Sequence, residues 1–512
     1  MAQESRVKKT LLNARVNLIF YFITLALSFF SRKIFLDGLG ADFIGLTGSL
    51  GSLLGFLNLA ELGIGSAIGY VLYKPIFEQN HEKINEIISV FGYLYRWVGV
   101  AILAGGLILA GFFPMIYPDT GFDLGIIYFA YFSFLFSSLI GYFVNYRQTL
   151  LGADQRNYVV TAYFQTAGVI KTLIQMALAY YTGNYYLWVV VELVFGILHA
   201  VILNWKINQV YPWLKTDVRS GKELRKKYPE IIKYTKQLFV HKMSGFVYWQ
   251  ISPFLIYAFV SLQTVAYYGN YTMITQKITA LLNNFLGSSA AGVGNLIAEG
   301  NKDKVIKVYW ELMVVRFIVI GVAIYSTYKL LPAFISLWLG DGYLLSESVL
   351  LLSLIIFFMS AIRGTTDEFI VGYGLFYDIW APLAETIINI ISSIVGGYLW
   401  GLEGILIGNV ISTALIIYGW KPYFLFSKGF KLSVSKFWSV FIAYLAILSA
   451  SIFATEFILT RIDFSIKIHD KWVDWILYAV IITAVFGVIY SAMFLIFTKS
   501  AKSVVARLIK KN

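Results

Sequence analysis

Cysteine is absent from this 512-residue chain. That excludes disulfides, thiolate metal sites and cysteine nucleophiles together. Charge is scarce too: Asp, Glu, Lys and Arg make up 13% of residues, against about 25% in a typical soluble domain. Hydrophobic residues reach 59%, and the mean hydropathy is +0.72. Such a chain has too little polar surface to clothe a large water-soluble fold. No GxxxxGK[ST] loop is present, which excludes nucleotide binding by that route. HExxH is also missing, and the histidines number four: His81, His199, His241 and His469. Only His199 falls in a helix interior, where a hydrogen-bonded core role outweighs a proton relay.

What the chain has is long apolar runs, recurring from end to end. About 20 such residues cross a hydrocarbon core of about 30 Å as a helix. Without water there, the backbone must bond to itself, in helices or in a closed barrel. Barrel strands alternate apolar and polar residues; runs such as Leu103–Phe113 and Ala479–Phe497 do not. The expected fold is therefore an all-α polytopic membrane protein. Fourteen helices are expected near 14–36, 43–73, 91–113, 125–147, 158–181, 186–205, 238–260, 265–293, 308–331, 347–373, 380–399, 402–420, 437–458 and 475–497. Arg6, Lys8 and Lys9 precede the first run with no small-residue cleavage site, the pattern of an uncleaved signal anchor.

Basic residues set the orientation. With the N-terminus inside, 30 of the 41 Lys and Arg residues fall in inner tails and loops. Six fall outside: Arg32, Lys33, Lys329, Arg461, Lys467 and Lys471. This is the positive-inside bias, and it puts both termini in the cytoplasm. The net charge of +13 is mostly this topology signal, not a nucleic-acid surface. The longest inner segment, Lys206–Gln237, carries Arg219, Lys222, Arg225, Lys226 and Lys227. It reads as a solvated linker on anionic headgroups, with a docking site for a cytoplasmic partner as the alternative. The outer loops are short, so no periplasmic catalytic domain is expected.

The chain partly repeats itself at an offset near 222. Asp42–Tyr70 lies over Thr264–Gly292, with Ser66 on Ser288. Asn80-His81-Glu82-Lys83 lies over Asn301-Lys302-Asp303-Lys304, and Gly152-Ala153-Asp154-Gln155 over Gly374-Leu375-Phe376-Tyr377. The repeat predicts an N-lobe of helices 1–6 (1–205), a basic cytoplasmic linker (206–237) and a C-lobe of helices 7–12 (238–426). Helices 13–14 and a basic tail (427–512) follow. An even number of spans per lobe makes the repeats parallel, the arrangement of transporters that rock about a midplane site.

Charges inside membrane helices are costly and normally face a cavity or one another. The intrahelical cations are Arg96, Lys171, Lys277, Arg316 and Arg363, joined by Arg32 in the outer part of helix 1. Asn270, Lys277 and Asn284 are seven apart and share one face of helix 8. That stripe fits a wet wall; the alternative is a Lys277 ion pair with a carboxylate such as Glu61. Helix 2 offers Asn58 and Glu61 one turn apart. Helix 5 carries Gln165, Gly168, Lys171 and Gln175; helix 11 carries Glu385, Asn389, Ser392 and Gly396. Both sets fit a polar lumen or hydrogen bonds within one lobe. Arg363 and Asp367 have the spacing of an intrahelical pair. Arg96 and Arg316 are expected to snorkel to the headgroups. The pairs Gly51–Gly55 and Gly65–Gly69 are expected to serve helix packing, and Pro253 and Pro382 to kink their helices. Substrate-binding candidates are therefore Arg32, Lys277, Asn270, Asn284, Asn58, Lys171 and Arg363. Glu61 and Glu385 are candidates for ion coupling. No catalytic or metal site is expected.

At this point the sequence resembles a known family. Arg32-Lys33-Ile34-Phe35, Leu39-Gly40, Phe43-Ile44-Gly45-Leu46 and Glu61-Leu62-Gly63-Ile64-Gly65-Ser66-Ala67 look like the opening of bacterial polysaccharide biosynthesis flippases. Pro382-Leu383-Ala384-Glu385, Ile388-Asn389, Gly404-Ile405-Leu406-Ile407-Gly408 and Lys421-Pro422-Tyr423 continue the likeness. These flippases are the O-antigen and capsule repeat-unit transporters of the multidrug/oligosaccharidyl-lipid/polysaccharide exporter superfamily. The resemblance implies a MATE-like fold of two pseudo-symmetric six-helix lobes plus two C-terminal helices. It implies a location in the bacterial inner membrane and an undecaprenyl-diphosphate-linked glycan as substrate, moved from inner to outer leaflet. Partners would be that glycolipid, membrane lipids, and the polysaccharide polymerase and chain-length machinery. In related lipid II flippases, basic residues of helices 1 and 8 meet the diphosphate, which here implies Arg32 and Lys277.

The physics is compatible. A diphosphate needs cationic partners in a low-dielectric cavity. Two negative charges leaving an inside-negative cell gain roughly 4–5 kcal/mol per 100 mV. Coupling to H+ or Na+ is therefore allowed but not demanded, and no other cofactor is expected. The rival readings are a lipid II flippase, a MATE-type drug or cation antiporter, and, from another class, a membrane glycan polymerase. A polymerase needs extended outer loops, and this chain has none, so an enzyme is not expected.

Overall fold

The computed structural model describes residues 6–61, 64–118, 120–154, 156–286, 293, 296–297, 299–375, 377–461 and 471–510. Side chains at 6–15, 17–18, 59–60, 66, 70, 237–238, 240–250, 283–286 and 508–510 lie outside that description. All fourteen expected helices are present. They are α1 (Arg6–Leu39), α2 in two arms (Ala41–Leu57 and Ile64–Phe77), α3 (His81–Ala110), α4 (Leu124–Phe143), α5 (Tyr158–Thr182) and α6 (Tyr185–Val210). Then come α7 (Pro229–Phe259), α8 (Leu262–Leu286), α9 (Lys302–Leu339) and α10 in two arms (Glu347–Ile362 and Gly364–Gly372). The stretch Trp380–Phe430 breaks at Trp400 and Gly401 into α11 (380–399) and α12 (402–430). α13 (Ser435–Leu459), α14 (Trp472–Phe497) and a basic amphipathic α15 (Lys499–Lys510) complete the chain. Among the described residues, nine helical stretches are long and apolar enough to cross a membrane.

Packing divides the chain into unit 1, ending at Ala266, and unit 2, starting at Tyr267. The boundary falls inside α8. In unit 1, α1 packs along α5, α4 lies between α3 and α6, and α7 packs on both arms of α2. The repeat read from the sequence is divided at the linker, whereas packing leaves α7 with α2. In unit 2, α9 is the hub, touching α10, α14 and α15, while α13 packs on α14. Its core is aromatic: Tyr309, Phe317, Phe369 and Phe426 are all fully buried. Tyr309 meets Phe369 and Phe426 edge to face, and Phe317 meets Tyr444 in the same way, the arrangement the ring quadrupole favours.

Local chemistry explains the helix ends. Asn80 caps α3, its Oδ1 accepting from the Lys83 N–H at 2.9 Å. Asn301 caps α9 in the same way, accepting from Lys304 at 3.0 Å. Each satisfies a backbone donor that the first turn leaves open. These are the two asparagines that the repeat superposes. α7 starts earlier than expected because Pro229 occupies its first position, where no backbone donor is needed. The helix continues through Pro253.

Helix 2, expected as one span, is broken by a 3₁₀ turn at Asn58–Glu61. The turn lies between the two GxxxG pairs. A Cβ at Gly51 or Gly69 would meet no described residue within 4 Å, whereas one at Gly65 would touch the Tyr95 hydroxyl at 3.4 Å. The close approach on α2 is at Gly45, where a Cβ would stand 1.9 Å from the Leu262 carbonyl oxygen. Spacing of small residues does not reveal which face meets a neighbour.

The α11–α12 hairpin depends on Gly396, Gly401 and Gly404. Gly401 turns the chain at φ 58. A Cβ on Gly404 would lie 1.8 Å from the Gly396 carbonyl oxygen. Both partners are backbone, so neither can rotate away. Gly404→Val is expected to cost about 3 kcal/mol or more, beyond the usual overpacking penalty. A thermal melt of the purified variant checks this; an unchanged midpoint would contradict the close approach.

The segment between α6 and α7 packs on unit 1. Lys215 and Asp217 donate backbone N–H groups to Asn85 Oδ1 and Ser89 Oγ, both at 3.0 Å. Trp213 stacks on His81 with ring centroids 3.8 Å apart. Lys227 and Tyr228 both donate to Glu86. Burial pushes the Tyr228 hydroxyl well above its ordinary pKa, and Glu86 reinforces this, so it remains a donor. Tyr211, Leu214, Val218 and Tyr228 are buried, while Lys215, Arg219, Lys222, Arg225 and Lys226 are exposed.

Candidate functional site

The break in α2 positions the first group of polar residues. Glu61, at the end of the 3₁₀ turn, is held by two tyrosines from neighbouring helices. Tyr95 of α3 donates to Oε1, and the Tyr142 hydroxyl of α4 donates to Oε2 at 2.6 Å. Tyr142 also stands 3.0 Å from Asn58 Oδ1, which accepts a longer bond from Ser138 at 3.4 Å. Asn58 and Glu61 thus face one interior, as their spacing suggests. No Lys or Arg pairs with Glu61 among the described ion pairs.

A cavity of about 440 Å³ opens over this carboxylate, within unit 1. Glu61, Tyr95, Ser138 and Tyr142 line its depth; Gln148, Gly152 and Asn157 are the exposed residues of its lining. Asn145, on the 3₁₀ turn after α4, forms part of the wall and accepts from Asn204 at 3.3 Å. Tyr146, also lining it, bonds Thr216 of the α6–α7 segment at 2.9 Å. That ordered segment therefore buttresses the cavity. Tyr95 and Tyr142 were not singled out in the sequence. Ser138 and Tyr142 stand one turn apart on α4, a signal hidden among the many membrane tyrosines.

The other candidates are distributed as follows. Arg32, in α1, donates to the Ala266 carbonyl at 2.8 Å, so part of its guanidinium serves unit 1 structurally. Lys171 pairs with Glu192 of α6 at 2.8 Å, and Gln175 donates to the same carboxylate at 3.1 Å. This is the interhelical alternative for helix 5. In unit 2, Asn270 is fully buried and Lys277 half-buried on α8; the Asn284 side chain lies outside the described residues. Arg363 pairs with Asp367 at 2.8 Å, as their spacing predicts. Glu385 is half-buried on α11. Asn389 donates to Asn409 at 2.7 Å, joining α11 to α12.

Arg316 does not snorkel. It is buried and bonds Thr365, the Ala361 carbonyl and Glu368. Arg96, its counterpart in the repeat-related helix, is exposed. The difference is that Arg316 meets a carboxylate and a carbonyl on α10 that make burial tolerable. The sequence also gave no hint that α15 docks on α9. There the buried Glu311 accepts from Ser503 and pairs with Arg507, both at 2.5 Å. Among the described residues no group of three or more His, Cys, Asp or Glu side chains is arranged to hold a metal.

No protein-family model matches the chain, and no curated protein matches it in sequence. Solved structures do resemble it. The lipid II flippase MurJ, in an inward closed conformation, matches with a TM-score of 0.63 at 15% identity, covering 93% of this chain and 98% of the flippase. An inward-facing multidrug resistance MATE family transporter of the MOP superfamily matches with a TM-score of 0.54 at 15% identity. That match covers 79% of this chain and 96% of the transporter. At such identity the likeness establishes architecture: this is a multi-pass, all-α membrane protein with the fold of MurJ and the MATE transporters.

Proposed function

We propose that the chain is a flippase of the bacterial inner membrane. It moves an undecaprenyl-diphosphate-linked oligosaccharide repeat unit from the inner to the outer leaflet by alternating access. The observation that carries this reading is the extent of the structural match: 93% of the chain against a lipid II flippase, compared with 79% against a drug transporter. The two C-terminal helices support it as well, because α14 packs on the hub helix of unit 2 and belongs to its body. The sequence resemblance to repeat-unit flippases favours an oligosaccharide over lipid II as the cargo. Cations on α1 and α8, Arg32 and Lys277, suit the diphosphate.

Deletion of the gene tests this. The lipid-linked oligosaccharide is expected to accumulate on the inner leaflet and to return to the outer leaflet on complementation. An unchanged distribution together with new drug sensitivity would move the assignment to the exporter. Rescue of a strain lacking its lipid II flippase would move it to lipid II.

A further inference from the structure

The cavity over Glu61 is ill suited to a diphosphate: among the described residues its lining holds one carboxylate and no Lys or Arg. An anion would be repelled there. A divalent cation would find a single acidic ligand, against the several oxygens that such ions require. What the lining does offer is neutral hydrogen-bonding capacity: the amides of Asn145, Gln148 and Asn157 and the hydroxyls of Ser138 and Thr149. Glu61 accepts one tyrosine on each oxygen. A carboxyl group has more acceptor sites than these two bonds use, so Glu61 can accept further hydrogen bonds. The volume of about 440 Å³ falls within the ~300–1,000 Å³ range of small-molecule sites.

From this lining we infer that unit 1 carries a glycan subsite, which takes a neutral, hydroxyl-rich sugar of the cargo with Glu61 at its floor. The inference rests on the proposed function and adds the chemical class that the site selects: uncharged sugars over uronic acids. Location agrees with loading. Gln148, Gly152 and Asn157 belong to the α4–α5 connection, which charge bias assigns to the cytoplasmic side. A sugar on an inner-leaflet lipid would enter there. The ordered cytoplasmic segment fixes one wall through Tyr146 and Thr216, so the subsite is built before cargo arrives.

The test uses the full chain in nanodiscs and saturation-transfer NMR with methyl glycosides of glucose, N-acetylglucosamine and glucuronic acid. The two neutral glycosides are expected to receive saturation and the glucuronide far less. Gly141→Val adds bulk to the lining where a Cβ meets nothing within 4 Å, and should abolish the signal while the protein stays folded. Gln148→Ala, at an exposed position with no folding risk, should weaken binding roughly threefold to tenfold, the worth of one hydrogen bond. Equal saturation of all three glycosides, or signals untouched by both variants, would overturn the subsite. A sodium or pH response abolished by Glu61→Gln, with no glycoside binding, would make this an ion site and overturn it too. Flipping of a lipid-linked glycan without glycoside binding here rejects the subsite alone. Glycoside binding here by a chain that flips no glycolipid supports the subsite and rejects the flippase reading.

Discussion

Arg316→Ala is expected to cost the protein about 3–5 kcal/mol, the loss seen when one partner of a buried ion pair is removed. Arg316 is only 5% exposed. Its three nitrogens are each committed to α10: Nε to Thr365 at 3.0 Å, one terminal nitrogen to the Ala361 carbonyl at 3.1 Å, the other to Glu368 at 2.8 Å. Alanine removes all three donors and leaves a carboxylate and a carbonyl in a low-dielectric interior. Arg316→Lys keeps the charge but lacks the planar fork, so its loss should be intermediate. Replacing both partners, Arg316→Met with Glu368→Leu, should recover much of the stability, because an apolar pair avoids the desolvation cost. Thermal melts of the four proteins decide it. An Arg316→Ala protein with the wild-type midpoint would show that the pair contributes nothing.

The second large effect is on transport. Lys277→Ala is expected to reduce flipping by about 10- to 100-fold, the equivalent of one charge-assisted hydrogen bond at ~1.5–3 kcal/mol. Membrane insertion should be unaffected, since the substitution makes α8 more apolar. Lys277→Arg should retain most of the activity and Lys277→Gln little, because a diphosphate needs charge more than shape at a lysine site. Expression level and leaflet distribution, measured together in complemented cells, separate folding from transport. Full activity in Lys277→Ala would remove this residue from the binding site.

These expectations draw unequally on sequence and structure. The helices were legible because a run of apolar residues long enough to span a bilayer has few alternatives. The caps at Asn80 and Asn301 were visible as a repeated loop, though only the fold shows both accepting from the residue three positions on. The pairing of Arg363 with Asp367 followed from spacing. By contrast, Arg316 and Arg96 look alike in sequence, and their different fates depend on partners fifty residues away on α10. The tyrosines that hold Glu61 were hidden for a similar reason: membrane tyrosines usually mark the interface, and only the break in α2 brings Glu61 to them. The segment between α6 and α7 was read by its charges, while its course is set by Leu214, Val218 and Tyr228 buried between them.

The most direct test of the central claim is reconstitution. Purified protein would be placed in liposomes loaded on one leaflet with a fluorescent undecaprenyl-diphosphate glycan, and an impermeant glycan-modifying reagent would report arrival on the other. The account predicts protein-dependent transfer that falls about 10- to 100-fold with Lys277→Ala, the range set by one lost charge-assisted bond. Transfer at the rate of protein-free liposomes, by protein shown to be folded, would contradict it.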